Sequence, residues 1–266
     1  MTRPQLTGVL LLVVLAHTSL ITAGDPADYT FRREITRDVL QNYLSRAVTH
    51  AGLLASSADP TTESFDDDLR MLTDIGAKFV GRAAFVWDLP PDDERHFQQV
   101  KSAAARVHQA DPEIILQACI FEIVTSDVER ISVPTWAFQE LGLPAEDRKF
   151  RYADMLYNSG RQHDRWRPGA SVPDMSKPET QLWFYYRARR YLDCGIEAIH
   201  FGQVMIMDDA DPGHRHWQAF CWEGFAPTLL NTPVGNSYSA MPTRMESWRT
   251  GDCCSISIRF PYGFAK

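Results

Sequence analysis

The chain has 266 residues, a formal net charge of -7 at pH 7 and five cysteines. This acidity argues against a nucleic-acid partner, because surfaces that bind phosphate backbones are rich in Lys and Arg. No cysteines have the C-x-x-C or Cys/His spacing of a zinc site. The sequence also lacks the glycine-rich loops that bind dinucleotides or phosphates. We therefore predict neither a metal nor a cofactor.

The N-terminal segment is typical of an export signal. Arg3 precedes an apolar run from residue 8 to residue 16, and small residues follow at positions 22–24. This run of about nine residues is too short for a membrane span, which needs roughly 20. We expect residues 1–23 to be a signal peptide, the mature protein to be secreted or periplasmic, and no stable membrane anchor to be present.

The first half of the chain predicts alternating helices and strands. Apolar residues recur at three- and four-residue steps over residues 33–54, which predicts an amphipathic helix, and a second helix is predicted over residues 65–74. Residues 77–86 are apolar and partly β-branched, as in a buried strand, and helical spacing follows over residues 92–108. The apolar run at residues 113–124 predicts a second strand, buried on both faces.

Residues 126–171 form a long insertion rich in Pro, Gly and Trp, with one short helix expected at residues 136–141. Such insertions usually shape the binding face of an α/β fold. The next helix is predicted to begin at Ser176, with Glu179 closing a capping box, and to end before Gly195. A third parallel strand is predicted over residues 196–207.

This alternation predicts a single α/β domain over residues 24–218. The fold class that we expect is a (β/α)8 TIM-type barrel, incomplete at its C-terminus as the sequence stands. The alternative is an open doubly wound α/β sheet. An open sheet needs fewer strands and would fit a shorter domain.

Residues 219–266 form an atypical tail in which the alternation stops. Two interpretations stay open. One is a frameshift near codon 219, since a shifted frame can restore a basic amphipathic helix followed by two apolar strands. The other is a genuine C-terminal extension. A frameshift would leave the barrel without its later strands and predicts poor soluble expression.

Candidate functional residues lie just past the predicted strands, because loops converge at the C-terminal ends of parallel strands. They are Arg82, Trp87 and Asp88 in or after the first strand, Glu122 at the end of the second, and His200, Gln203, Asp208 and Asp209 in or after the third.

Glu122 is the favoured acid/base, because burial beside apolar neighbours disfavours a charged carboxylate and suits a proton donor. The alternative is a structural carboxylate paired with Arg82 or Arg151. Glycoside hydrolysis usually needs a second carboxylate, for which Asp208 or Asp209 is the candidate, although an Asp-Asp pair is also a common loop and helix cap.

His200 and Gln203 have opposite parity along the predicted strand, so only a bend would bring both to one pocket. His214 and His216 are two residues apart on a predicted helix, where they would point to different faces, so we predict no metal there. The tryptophans of the predicted loops, Trp87, Trp136 and Trp166, are candidates for stacking on sugar rings; the alternative is ordinary core packing.

Three stretches carry a resemblance: ILQACIFEIV, FRYADMLY and VPDMSKPETQLWFYYRARRYLDCGIEAIHFGQV. They resemble a group of secreted bacterial (β/α)-barrel proteins related to glycoside hydrolases, over about residues 35–218. The resemblance implies a barrel and an exported carbohydrate-active protein with a saccharide ligand, glycoside hydrolase-like if it is an enzyme. The alternatives are a non-catalytic carbohydrate-binding protein and an inactive truncated product.

Overall fold

The computed structural model describes residues 27–31, 35–54, 63–221 and 255–257. The predicted signal peptide, residues 1–23, lies outside the described residues, as does most of the atypical tail. Both interpretations therefore stay predictions. Within the described ranges, no helix combines the length and the apolar composition that crossing a bilayer requires.

The protein has a mixed α/β fold built on a mainly parallel sheet. Its strands are β1 (Ala47–Thr49), β2 (Phe79–Val86), β3 (Ile115–Ile120), β4 (Val124–Thr125), β5 (Ala170–Ser171), β6 (Ala198–Phe201) and β7 (Ser255–Ser257). The sheet order is β1-β2-β3-β6-β7, in which β1, β2, β3 and β6 are parallel and β7 is antiparallel to β6. The short strands β4 and β5 form a separate antiparallel pair.

Helices connect these strands. They are α1 (Arg37–Ser45), α2 (Glu63–Asp74), α3 (Asp93–Ala110), α4 (Thr135–Glu140), α5 (Pro178–Leu192), α6 (Val204–Met207) and α7 (Arg215–Ala219). The insertion between β3 and α5 also contains two 3-10 turns, Ser126–Arg130 and Tyr152–Met155. Helices α3 and α5 bury apolar side chains in the same core cluster as the strands, which accounts for the helical spacing in their sequences.

Helix α5 does not begin with the capping box that the sequence predicts. Its N-cap is Lys177, without a side-chain hydrogen bond, so the expected Ser176 cap is wrong. Glu179 instead forms a bidentate ion pair with Arg148, with both N–O distances at 2.7 Å, and accepts the backbone N–H of Arg151. A buried carboxylate gains more from a two-pronged guanidinium than from one backbone donor, so the tertiary contact prevails over the local motif.

The predicted strands and helices are right in kind and wrong in their ends. The helix predicted over residues 33–54 stops at Ser45, and the parallel strand β1 follows it unpredicted, because three residues carry too little periodicity to identify a strand. The second strand ends at Ile120, and the third ends at Phe201, followed by the single helical turn α6. Burial of β3 on both faces is confirmed.

The two faces of the parallel sheet have different coverings. One face, with Val80, Leu116 and Ile199, packs in the core shared with α3 and α5. The other face begins at the N-terminal ends of the strands with Phe79, Ile115 and Ala198, which pack against α1 and the segment before it. Further along this second face, towards the C-terminal ends of the strands, the side chains become polar.

Candidate functional site

The ends of β3 and β6 bring one carboxylate and one amide side chain together. Glu122 follows β3, is only 3% exposed, and accepts two hydrogen bonds from Gln203, which follows β6. The backbone N–H of Gln203 donates to Oε2 at 2.9 Å, and its Nε2 donates to Oε1 at 2.7 Å. Both oxygens of the buried carboxylate are therefore fixed by a single residue.

Gly202 makes this arrangement possible. A Cβ at this position would lie 2.0 Å from Glu122 Oε2 and 2.9 Å from the Glu122 backbone nitrogen. The carboxylate therefore occupies the space that any larger side chain would need. We call Glu122, Gly202 and Gln203 the Glu122 clamp. The predicted partners of Glu122, Arg82 and Arg151, are not its hydrogen-bonding partners: Arg151 pairs with Glu146.

His200 is buried beside this clamp, in register with Cys119 of β3. Burial lowers the pKa of His200, and the positive charge of Arg82 lowers it further, while the Glu122 carboxylate acts in the opposite direction. The neutral imidazole is thus favoured. Because β6 ends at Phe201, the chain bends before Gln203, and both His200 and Gln203 can approach Glu122 despite their opposite parity.

Arg82 lies in an irregular part of β2, where the register with β3 shifts between Val80 and Ala84. Its φ of 55° is in the left-handed region, which costs a non-glycine residue on the order of 1–3 kcal/mol. Its backbone nitrogen is 3.4 Å from Gln117 Oε1. Its exposed guanidinium lies 5.9 Å from the centroid of the Phe121 ring. The bulge thus turns a cation towards the polar end of the sheet.

Three aromatic rings, of which Phe121 is the first, lie in contact with one another near the ends of β2 and β3. The rings of Trp87 and Phe121 meet edge to face with centroids 4.2 Å apart, and Trp166 lies 6.3 Å from Trp87. Trp87 is 53% exposed and Trp166 is 40% exposed, so both present aromatic surface to solvent. We call Phe121, Trp87 and Trp166 the aromatic strip. The guanidinium of Arg165 lies 5.5 Å from the Trp166 ring centroid.

Trp136, the third predicted sugar-stacking tryptophan, lies elsewhere. It is partly buried against the core, and its ring stacks on Tyr186 of α5 at a centroid distance of 6.0 Å. Arg189 lies over the same ring. These contacts give Trp136 a packing role between α4 and α5, which is the core-packing alternative for the tryptophans.

The two candidate second carboxylates have their own partners. Asp208 is 1% exposed and forms a hydrogen bond with His216, at 2.7 Å between Oδ1 and Nδ1. Burial raises the pKa of Asp208. Asp209 pairs with Arg161 at 2.9 Å and with Gln162 at 3.1 Å. Among the described residues, neither aspartate shares a hydrogen-bonding partner with Glu122. The structure therefore does not join them to the Glu122 clamp.

A possible metal-ligand set is formed by Asp208, Asp211 and His216, whose ligand atoms all lie within 4.8 Å of one another. Asp211 is already engaged: Arg215 donates to both its carboxylate oxygens, and this hydrogen bonding lowers the pKa of Asp211 to about 2. Asp211 also accepts the backbone N–H groups of Gly213 and Arg215 at the start of α7. A divalent cation would have to displace Arg215, so these contacts fit a helix start better than a metal centre.

A narrow cleft opens beside Trp87, between the ends of β2 and β3 and helix α5. Most of its lining is apolar, and Thr125 and Arg187 are its polar members. Arg187 is 2% exposed and forms an ion pair with Asp93, which ties α5 to the beginning of α3. The cleft therefore offers an apolar wall next to the aromatic strip.

Sequence reasoning missed two residues of this region, Phe121 and Arg165. Phe121 links Trp87 to Arg82, although in the sequence it is distinguished only as an apolar residue before Glu122. The segment Arg165-Trp166-Arg167 alternates cationic and aromatic side chains, a pattern that could have indicated a binding surface.

Comparisons with known proteins give little further information. No protein-family model and no curated protein matches the chain. Among solved structures, it is similar to a GH31 dextranase of Flavobacterium johnsoniae complexed with glucose, at 11% identity and a TM-score of 0.34. It is also similar to a mutant of that dextranase complexed with isomaltotriose, at 10% identity and a TM-score of 0.35. Each alignment covers 72% of this chain and 26% of the dextranase.

Proposed function

We propose that this protein is carbohydrate-active and binds a saccharide along the aromatic strip. The observation that carries the proposal is a pair of exposed tryptophans, Trp87 and Trp166, joined by ring contacts to Phe121, the residue before Glu122. The C–H faces of sugar rings pack on aromatic side chains, and sugar hydroxyls need hydrogen-bonding partners nearby. Glu122, Gln203 and Arg82 are polar groups at the same end of the sheet that can supply them.

We further propose that the parallel strands are part of a (β/α)8 barrel, and that the protein acts outside the cytoplasm after signal-peptide removal. Support for the barrel comes from the four parallel strands, since β1, β2, β3 and β6 lie side by side in chain order; β7, antiparallel to β6, departs from that pattern. Consecutive parallel neighbours of this kind are the pattern of a barrel wall, whereas a doubly wound sheet reverses its strand order at a switch point.

A glycoside hydrolase-like enzyme is the second candidate. The position of the Glu122 carboxyl group just past the end of β3, with the buried His200 of β6 beside it, favours this candidate, because glycoside hydrolases use carboxyl groups as acid, base or nucleophile. Two features favour a binding protein instead. Gln203 already donates to both oxygens of Glu122, and in the described part of the chain neither Asp208 nor Asp209 shares a hydrogen-bonding partner with Glu122.

The substitution Glu122→Gln in the full chain separates the two candidates. Binding of neutral and acidic oligosaccharides would be followed by tryptophan fluorescence, and turnover by the release of new reducing ends. An enzyme should lose turnover by a factor of at least about 100 while binding survives. A binding protein shows no turnover in either form. The matched control is Glu129→Gln, an exposed carboxylate in the 3-10 turn after β4.

If no saccharide in the panel perturbs the fluorescence of the unsubstituted protein, the proposed function is wrong. Substitution of Trp87 provides an independent check on the same assay. Because Trp87 lies in the strip, its removal should abolish most of the ligand-dependent signal.

A further inference from the structure

The aromatic strip has a guanidinium at each of its ends. Arg82 lies 5.9 Å from the ring centroid of Phe121, and Arg165 lies 5.5 Å from that of Trp166. Between them, Trp87 is in ring contact with both Phe121 and Trp166. A continuous series of contacts therefore connects one cation, three aromatic rings and a second cation.

These two cations differ from their neighbours in having no carboxylate partner. In the part of the chain that the structure describes, neither Arg82 nor Arg165 forms an ion pair, and Arg165 donates to the neutral Gln162 Oε1 at 2.7 Å. The other two arginines of the same loop are paired, Arg161 with Asp209 and Arg167 with Asp88, each at 2.9 Å. Positive charge thus remains uncompensated at the two ends of the strip.

This distribution is unusual for the chain as a whole, whose formal net charge is -7. Arg82 in addition keeps a left-handed backbone conformation, with φ at 55°, which is costly for an arginine. The exposed cation–π contact of Arg82 with Phe121 is worth only about 0.5–1 kcal/mol, against a conformational cost on the order of 1–3 kcal/mol. An anionic ligand that pairs with the Arg82 guanidinium would account for this left-handed backbone conformation.

We propose that the saccharide is anionic and that its carboxylate or sulfate groups pair with Arg82 and Arg165. The inference rests on the proposed function and deepens it by naming the substrate class. Sugar rings pack along the strip, while each planar guanidinium presents paired N–H donors that match the oxygens of a carboxylate or sulfate. Neutral saccharides use the strip alone and bind more weakly.

A single-stranded nucleic acid is the competing ligand, because stacked aromatics with flanking cations also bind bases and phosphates. The observations favour the saccharide. Such nucleic-acid sites lie in continuous basic grooves. This strip instead has one cation at each end, Arg82 and Arg165, with three aromatic rings between them. An oligothymidylate therefore enters the experiment as a probe.

The experiment compares trigalacturonate with its fully methyl-esterified form, which has the same rings and linkages without the charge. Binding to the full chain would be followed by tryptophan fluorescence at low and at moderate salt. We expect the acid to bind about tenfold more tightly than the ester at low salt, with a smaller ratio as salt screens the charges. Arg82→Gln and Arg165→Gln should each lower the ratio about threefold, and Arg37→Gln, on α1, should leave it unchanged.

Binding of the ester shows whether the Arg82 and Arg165 variants are folded, because neither substitution removes a ring of the aromatic strip. Equal binding of acid and ester overturns this inference and leaves the proposed function standing, and so does a ratio that neither arginine substitution changes. Binding of neither form, while another saccharide of the panel binds, overturns this inference alone. Absence of binding by every saccharide overturns the proposed function and the inference together. Tighter binding of the oligothymidylate than of trigalacturonate replaces the saccharide with a nucleic acid.

Discussion

The two ends of one sheet face have opposite characters. At the N-terminal ends of the strands, Phe79, Ile115 and Ala198 form a small apolar cluster that Val39 and Tyr43 of α1 cover. Tyr43 is 1% exposed, and its hydroxyl donates to the Tyr29 carbonyl at 3.1 Å. This end is closed by packing, so its contribution is to stability.

At the C-terminal ends of the same strands, the face carries a buried carboxylate, a buried imidazole and a strained arginine, at Glu122, His200 and Arg82. Exposed tryptophans stand beside them. Each of these features costs folding free energy, and the packing at the other end and in the helix layer offsets that cost. A parallel sheet thus separates stability from function along a single strand direction.

The largest expected effect comes from opening the closed end. Tyr43→Ala removes a ring that meets those of Tyr29 and Phe31 edge to face, at centroid distances of 5.0 and 6.1 Å. We expect a loss of about 3–5 kcal/mol in the free energy of unfolding, measured by urea denaturation. Saccharide binding by the folded fraction should be unchanged. Leu44→Ala, at a side chain 59% exposed on the same helix, should change stability by less than about 0.5 kcal/mol.

The next effect comes from disturbing the polar end without altering its charges. Gly202→Ala places a Cβ where Glu122 Oε2 now lies, so the carboxylate must leave Gln203. We expect a destabilisation of about 1–3 kcal/mol, together with weaker saccharide binding. Gly213→Ala is the control, because its Cβ would meet only ordinary contacts of 3.5 Å or more. If the two variants are equally stable, the clamp is not rigid.

The closed end and the helix layer could largely be predicted from sequence. The apolar pattern predicts α3 from residues 92–108 and β3 from residues 113–124, because long, well-buried elements repeat their pattern several times. Strand β1 could not be predicted, since three residues give no period. Glu179 was assigned to a local cap, whereas it pairs with Arg148, which lies 31 residues earlier in the sequence.

The polar end was predictable as a set of residues but not as an arrangement. The rule that loops meet at the C-terminal ends of parallel strands selected Glu122, His200 and Gln203. It could not show that Gln203 holds both oxygens of Glu122, because that contact joins residues 81 positions apart and depends on the missing side chain of Gly202. The same rule grouped Asp208 with Glu122, although Asp208 turns to His216.

A smaller effect should appear as a pH dependence confined to the polar end. Burial and Arg82 keep the pKa of His200 below its usual 6.5, so folding excludes a proton that the unfolded chain takes up below about pH 6.5. The contribution of neutral His200 to the free energy of unfolding is therefore complete above about pH 6.5 and is lost as the pH falls towards the lower pKa of the folded state. His200→Gln should therefore make the loss of stability between about pH 7 and about pH 5 shallower, by at most about 1.4 kcal/mol per pH unit.

His96 serves as the internal reference for that experiment. It is buried in the helix layer, where burial lowers its pKa to about 4, so acid destabilisation should persist in the His200 variant at a reduced slope. An unchanged slope after His200→Gln would mean that His200 is protonated to the same extent in the folded and unfolded chains. Tyr43→Ala, by contrast, should lower stability equally at both pH values, since it removes no group that titrates in this range.

The smallest effect on stability, and the one that most sharply separates the two ends, is expected from Trp87→Ala. Because the Trp87 side chain is 53% exposed, its loss should cost less than about 1 kcal/mol of stability, mostly through its edge-to-face contact with Phe121. Saccharide affinity should fall about tenfold, because the middle of the strip disappears. Trp136→Ala is the matched control: it should destabilise the contact between α4 and α5 and leave affinity unchanged. A reversed outcome, with binding lost in the Trp136 variant alone, would move the saccharide site away from the ends of the strands.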